Sequence, residues 1–433
     1  MLSDRYGLPV STSSCKALEA YVAGADCLLA ATAGVRERLG ESIEADPSFA
    51  LPQVALARGI FLEGDVRSAR EAAARARELA QAATAREQSH VNAIALAIEG
   101  RPVEALEATH AHLANHPRDA MVLAPATGVF GLIGFSGRKE REQELHELLQ
   151  GLAPHYGADW WFDCVLAFAA CECGLLDEAW TLIERSMAVH GGNAHGAHVK
   201  AHVLHESGAT EQSLDFLEEW MPGYDRRGLL HCHLSWHVAL AALGLGKLDR
   251  AWDAYRSAIH PGGSWGPALN VVTDAVAFLW RAELAGAPRQ PDLWSEIREY
   301  ALRSFPKAGV AFADVHTAAA CAASGDSATL ARLVRELRDR IHAGKLAAGP
   351  VVPAIAEGFA AYANGDPDGA IELLELALPE TVRIGGSRAQ RDLVEYTLLA
   401  AYLRAGREED ARRLVSGRRD RRPAVEVTGY SAA

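Results

Sequence analysis

Eight of the seventeen histidines fall between residues 190 and 237. Two i, i+4 pairs stand out among them, His198 with His202 in HVKAH and His233 with His237 in HLSWH. Four residues apart on a helix, the two side chains of each pair leave one face. Imidazole does two things near neutral pH: it moves protons as a general acid or base, and as the neutral ring it ligates transition metals. Comparable depths on the following segments carry Asp274 and Arg281 in VVTDAVAFLWRAELAG and Asp314 and His316 in FADVHTAAACAASG; Asp163 holds that depth in the segment before. Ionisable groups on such apolar stretches need partners, because burying one unpaired costs several kcal/mol.

Read as a pocket, the set assigns His202 and His237 as acid and base, with His198, His233 and His316 beside them. Asp274 and Asp314 become orienters, and Arg281 and Arg391 anchor an anionic small molecule. The turn IGGSRAQRD (384–392) adds Gly385, Gly386, Ser387 and Gln390, a composition that suits an anion at a helix start. The plainer reading of that turn is an N-cap by Ser387, with Arg391 and Asp392 in solvent. No cofactor is called for: there is no HExxH and no cysteine at ligand spacing. A divalent metal is the alternative occupant, with His198, His202, His233 and His237 as its ligands.

The elements that must position these residues are legible in the glycines. Gly64, Gly100, Gly137, Gly174, Gly208, Gly246, Gly286, Gly325, Gly365 and Gly406 recur every 34 to 41 residues. That spacing lies at or just above the 34 residues of a tetratricopeptide repeat. Alanine-rich apolar runs precede each glycine, and amphipathic runs follow, often opened by an Asp. The expected fold is all-α, a right-handed superhelical solenoid of about ten helix-turn-helix repeats. The repeats over about 160–325 and the loop 382–392 carry the site. One solenoid spans 1–417, followed by a basic, disordered tail over 418–433. The first repeat and the one ending at Gly137 have the least regular patterns.

Composition narrows the classes further. A net charge of −13 argues against a nucleic-acid footprint. No run of 18 apolar residues lacks charges, and MLSDRYGLPVSTSS has neither the basic nor the apolar region of a signal peptide. The seven cysteines show no zinc pairing and read as buried thiols. A cytoplasmic protein without membrane or nucleic-acid partners is the expectation, with a homodimer open.

At these residues the chain resembles the tetratricopeptide repeat domain 38-like family, over most of its length. HVKAHVLHESG (198–208) is similar to that family's H-A-x-x-H-V-x-E-x-x-G helix, and HLSWHVALAALGLGKLDRAWDAY (233–255) to its W-H-x-A-L helix. TDAVAFLWRAELAG, the pair Asp314 and His316, and IGGSRAQRD match further motifs, the last most specifically. The resemblance adds Trp236 to the substrate-binding positions with Arg281, Ser387, Gln390 and Arg391. It also implies an acidic residue shortly after the second histidine, which appears here as His205–Glu206. The family name implies a fold and no reaction. Two functions therefore compete: a small-molecule hydrolase or lyase using His and Asp, and a non-catalytic interaction scaffold or ligand-binding module of the tetratricopeptide type.

Overall fold

The structure, a computed structural model, describes residues 2–418 and 427–429. It is all-α, with 22 α-helices and, among the described residues, no β-structure beyond one isolated bridge between Ser3 and Pro9. No helix among those residues is long and apolar enough to cross a membrane.

The chain divides into two compact units, Met1–Gly134 with Gln143–Val199 and Gly223–Leu230, and Phe135–Glu142 with Lys200–Pro222 and His231–Ala433. The first unit holds α1 (Cys15–Leu29), α2 (Val35–Ala45), α3 (Ala50–Leu62), α4 (Val66–Ala80), α5 (Ala85–Ile98) and α6 (Pro102–Leu113). It continues with a stub, α7 (Ala120–Leu123), most of α8 (Arg141–Tyr156), α9 (Trp160–Glu172), α10 (Leu176–Val189) and the start of α11 (Ala194–Glu206). The second unit takes the rest of α11, then α12 (Thr210–Trp220), α13 (His231–Gly244), α14 (Leu248–Ala254), α15 (Ala268–Leu284) and α16 (Pro291–Ser304). It ends with α17 (Ala311–Ala323), α18 (Ser327–His342), α19 (Val351–Ala363), α20 (Pro367–Ala377), α21 (Arg388–Arg404) and α22 (Glu408–Ser416).

Helices pair in chain order, α1 with α2, α3 with α4 and α5 with α6 in the first unit, and α13 with α14 through α21 with α22 in the second. The first helix of each pair also packs on the first helix of the next, as α13, α15, α17, α19 and α21 do in turn. This is the helical-hairpin stacking of a repeat solenoid. All ten spaced glycines have positive φ, from +68° to +95°. Nine of them follow an α-helix, where the left-handed residue lets the last carbonyls be satisfied: Gly246 N–H donates to Leu243 O and Lys247 N–H to Ala242 O. The following helices open on side-chain caps from Asp65, Asp326 and Asp366. Alanines such as Ala69, Ala73, Ala76 and Ala80 of α4 are buried and let neighbours approach closely.

Gly137 is the exception. Its repeat never completes a first helix, because Pro125, Gly128, Gly131 and Gly134 interrupt the run after α7 and a short 3-10 turn. Residues 135–142 group instead with the second unit, where Gly137 lies so close to Ala347 that a Cβ would sit 2.3 Å from its carbonyl oxygen. The first repeat, by contrast, forms both of its helices in full. In the second unit α21 also packs on α15, three hairpins earlier, in addition to α19 and α20. That contact brings the glycine-rich turn onto the histidine-bearing repeats.

Of the tail expected over 418–433, residues 419–426 and 430–433 lie outside the described residues. Arg418 departs from a solvated end. Its side chain is 6% exposed and pairs with Asp392 at 3.3 Å and Glu395 at 2.5 Å, while Thr428 N–H donates to Leu284 O at 2.8 Å.

Candidate functional site

Helix α13, HCHLSWHVALAALG, is buried along nearly its whole length, so its polar side chains point into protein whichever face they leave. His233 and His237 stand one turn apart on it, ring centroids 4.9 Å apart, and His202 of α11 packs 4.5 Å from His237. His202, His233 and His237 each offer a ring nitrogen, and those atoms lie within 4.8 Å of one another. His198 lies one turn before His202 on the same helix, with its ring edge-on to Phe168 at 5.3 Å.

From α15, Asp274 reaches His233 Nδ1, 3.0 and 2.9 Å from its two oxygens, and Cys232 Sγ donates to the same carboxylate at 3.9 Å. Burial pushes the Asp274 carboxyl up, against the pull of His233. Burial also drives His202 well below the ordinary histidine value, helped by His233 and His205, so its ring is neutral. Trp236 stacks on His233 at 5.4 Å.

One α-helical stretch further along α15, Arg281 is 3% exposed. Its Nη2 donates to Ala389 O at 2.5 Å, and its guanidinium lies over the rings of Tyr396 at 4.9 Å and Trp236 at 5.9 Å. Its Nε has no hydrogen-bond partner among the described residues. Burial pulls its pKa down, opposed by Tyr396 and Asp392. His316 of α17 donates from Nδ1 to Phe312 O at 2.7 Å, and burial, with Arg281 nearby, lowers it to about 4.

The structure thus brings His202, His233, Trp236, His237, Asp274, Arg281 and His316 into one stretch of the second unit. The two other expected aspartates have other work. Asp314 is two residues from His316 and leaves the opposite side of α17. Its Oδ2 accepts from Gly309 N–H at 2.9 Å, and no histidine is its partner, so it orients the preceding loop rather than an imidazole. Asp163, in the first unit, is taken by Arg185 at 2.6 Å.

Ser387 and Gln390 form a reciprocal capping box at the start of α21: Ser387 N–H donates to Gln390 Oε1 at 2.9 Å, and Gln390 N–H to Ser387 Oγ at 3.3 Å. Ser387 Oγ and Gln390 Oε1 are used by the helix itself. Neither Arg391 nor Asp392 is solvated. Arg391 pairs with Glu142 at 2.5 Å and donates to Gly386 O, an oxygen that also accepts from Arg141 at 2.7 Å. Asp392 is held by Arg418. Gly386, at φ +75°, lies so close to α17 that a Cβ would meet Phe312 at 2.4 Å. The turn therefore reaches the site through the Ala389 carbonyl, and Arg391 clamps the turn.

A second ionisable cluster lies in the first unit, with Arg86 and His90 as its one i, i+4 pair and no i, i+4 pair of histidines among its members. Asp119 Oδ2 accepts from Arg86 at 2.9 Å, from His90 Nδ1 at 2.9 Å and from His112 Nε2 at 3.1 Å, while His112 Nδ1 meets Ser89 Oγ at 2.7 Å. Burial would raise the Asp119 carboxyl, but His90, His112 and Arg86 hold it well below the usual carboxylate range. The residues come from α5, α6 and the cap of α7. The hints in the sequence are the Arg86–His90 spacing and polar residues at one depth of a single hairpin.

No family model matches the chain. Among solved structures it is similar to one described as "Structure of Naa15/Naa10 bound to HypK-THB", at a TM-score of 0.23 and 14% sequence identity, covering 92% of this chain and 68% of that one.

Proposed function

We propose that the chain is a ligand-binding module of the tetratricopeptide type whose second unit takes a small anionic molecule against Arg281, beside the imidazoles of α11 and α13. The observation that carries this reading is a buried guanidinium with an open donor. Arg281 is 3% exposed and its Nε is unpartnered, while Tyr396 and Asp392 only partly offset the cost of burying its charge. A cation taken out of water without a partner is costly, whereas a carboxylate or phosphate supplies both charge and acceptors to the planar fork. The Trp236 and Tyr396 faces and the neutral His316 supply a flat, weakly polar surround for the rest of such a molecule. The resemblance to the tetratricopeptide repeat domain 38-like family rests partly on these same residues, Trp236, Arg281 and His316.

The test is thermal unfolding of the full chain with inorganic phosphate, pyrophosphate, acetate or succinate. At least one of these raises Tm in the parent chain and leaves Arg281→Gln unmoved. Arg281→Lys, which keeps the charge but loses the fork, retains part of the shift. Equal shifts in all three chains, or none in any, would sink the reading.

A further inference from the structure

The geometry points to a divalent transition-metal site formed by His202, His233 and His237, with Asp274 as the carboxylate that orients His233. The inference deepens the ligand-binding reading of this region. It rests on a different observation, the imidazole set rather than the buried guanidinium.

Three features carry it. The donor atoms are already gathered: one nitrogen from each ring, all within 4.8 Å of one another. Around a tetrahedral ion with metal–nitrogen bonds of about 2.0–2.1 Å, ligand nitrogens stand about 3.3 Å apart. Rotamer adjustments of roughly 1.5 Å at most close the set. The second feature is the carboxylate behind the ring. Asp274 lies 2.9 Å from His233 Nδ1, which fixes the N–H on that side and turns Nε2, with its lone pair, the other way. Asp274 has no Lys or Arg partner among the described residues, only His233 and Cys232. Its negative charge is therefore free to offset an added cation. The third is burial. His202, His233 and His237 are 0%, 4% and 3% exposed, an enclosed place for three imidazoles.

The donor chemistry selects the ion. All-imidazole ligation suits Zn2+, Co2+, Ni2+ or Cu2+, whereas Ca2+ and Mg2+ require oxygen ligands. The other histidine cluster makes the contrast. At His90, His112 and Asp119 the carboxylate oxygen already accepts from the Arg86 guanidinium at 2.9 Å, so a fixed cation occupies the charge that a metal would need. That cluster is an internal ion network and serves as the control.

The experiment uses the full chain, stripped with EDTA and titrated with Zn2+ by calorimetry and with Co2+ by visible absorption. One equivalent binds per chain, and Co2+ shows the intense d–d bands of a low-coordinate nitrogen site. His202→Gln and His237→Gln, which keep a polar group of similar size, weaken Zn2+ binding by more than about 100-fold. Asp274→Asn weakens it by about 10–100-fold, the range expected for loss of an outer partner. His90→Gln and His112→Gln leave it unchanged. Failure to take up one equivalent overturns the site, as does equal affinity in the parent and the His202 and His237 variants. Should a glutamine variant fail to fold by circular dichroism, the parent Co2+ spectrum decides, and a weak octahedral, water-like spectrum overturns the site. Anion titrations run on the EDTA-treated chain keep the two readings apart. Arg281→Gln still binds Zn2+, and a metal-free parent chain still responds to the anion.

Discussion

Asp314 illustrates how burial converts a carboxyl into a pH-dependent liability. Its pKa rises from 3.8 to about 7 because it is desolvated, and its Oδ2 accepts from Gly309 N–H. A folded pKa above the unfolded one means that the protonated form is preferred in the native state. The stability this group contributes is full below pH 3.8 and is lost as pH rises through 7. Asp314→Asn keeps an acceptor for Gly309 and carries no charge. In urea unfolding at pH 8 it should exceed the parent chain by up to roughly 4 kcal/mol, shrinking as the pH is lowered to 5. A variant that is no more stable at pH 8 would show that the carboxylate is already compensated there. His316 runs the other way. Lowered to about 4, it supports the fold above pH 6.5 and loses that support as pH falls toward 4.

At the scale of elements, the two kinds of glycine separate. Gly406 has φ +72° and open space around an added Cβ, so only its left-handed backbone is at stake. Gly386 has φ +75° and Phe312 of α17 at 2.4 Å from that Cβ. Gly406→Ala should cost about 1–2 kcal/mol, the ordinary left-handed penalty. Gly386→Ala adds overpacking of about 1–3 kcal/mol, because Phe312 is fully buried and cannot step aside. Chemical unfolding of both variants checks the ranking, and equal losses would mean that the turn can lift off α17. The same turn shows why a motif with Gly, Ser and Arg is ambiguous. Its Ser387–Gln390 capping box satisfies the first turn of α21 internally, and one backbone carbonyl, Ala389 O, is what it presents to Arg281.

Within the second unit as a whole, residues 135–142 are tied to the last repeats by long-range polar contacts. Lys139 pairs with Glu380 at 2.6 Å, Arg141 donates to Val382 O at 2.7 Å, Arg383 donates to Gly137 O at 2.8 Å, and Arg391 pairs with Glu142 at 2.5 Å. Arg391→Ala removes the central donor and leaves Glu142 and Gly386 O with Arg141 as their remaining donor. The expected cost is about 2–3 kcal/mol, somewhat below that of a fully buried pair because Glu142 is partly exposed. Hydrogen exchange followed by mass spectrometry should then show faster exchange in 135–142 and 378–391 together, with the α5–α6 hairpin unchanged. Unchanged protection of 135–142 would mean that Arg391 does not hold it.

By itself the sequence determined the helices and their punctuation. The ten glycines, the Asp caps and the alanine-rich runs act within one or two turns of chain, and local forces of that kind leave a periodic trace. It determined the histidine pairs as well, since i, i+4 spacing on a helix puts two rings on one face. Tertiary structure decided which carboxylate meets which ring. Asp274 and Asp314 sit at similar depths of consecutive repeats, yet only Asp274 meets an imidazole, because α15 turns it toward α13 while α17 turns Asp314 toward its own preceding loop. It also decided the fate of Gly137, whose spacing is that of a repeat but whose glycine- and proline-broken run cannot propagate a helix. The Arg86–Asp119–His90–His112 network left only the Arg86–His90 spacing as a trace, since its other members come from further elements and meet that pair only once the α5–α6 hairpin closes.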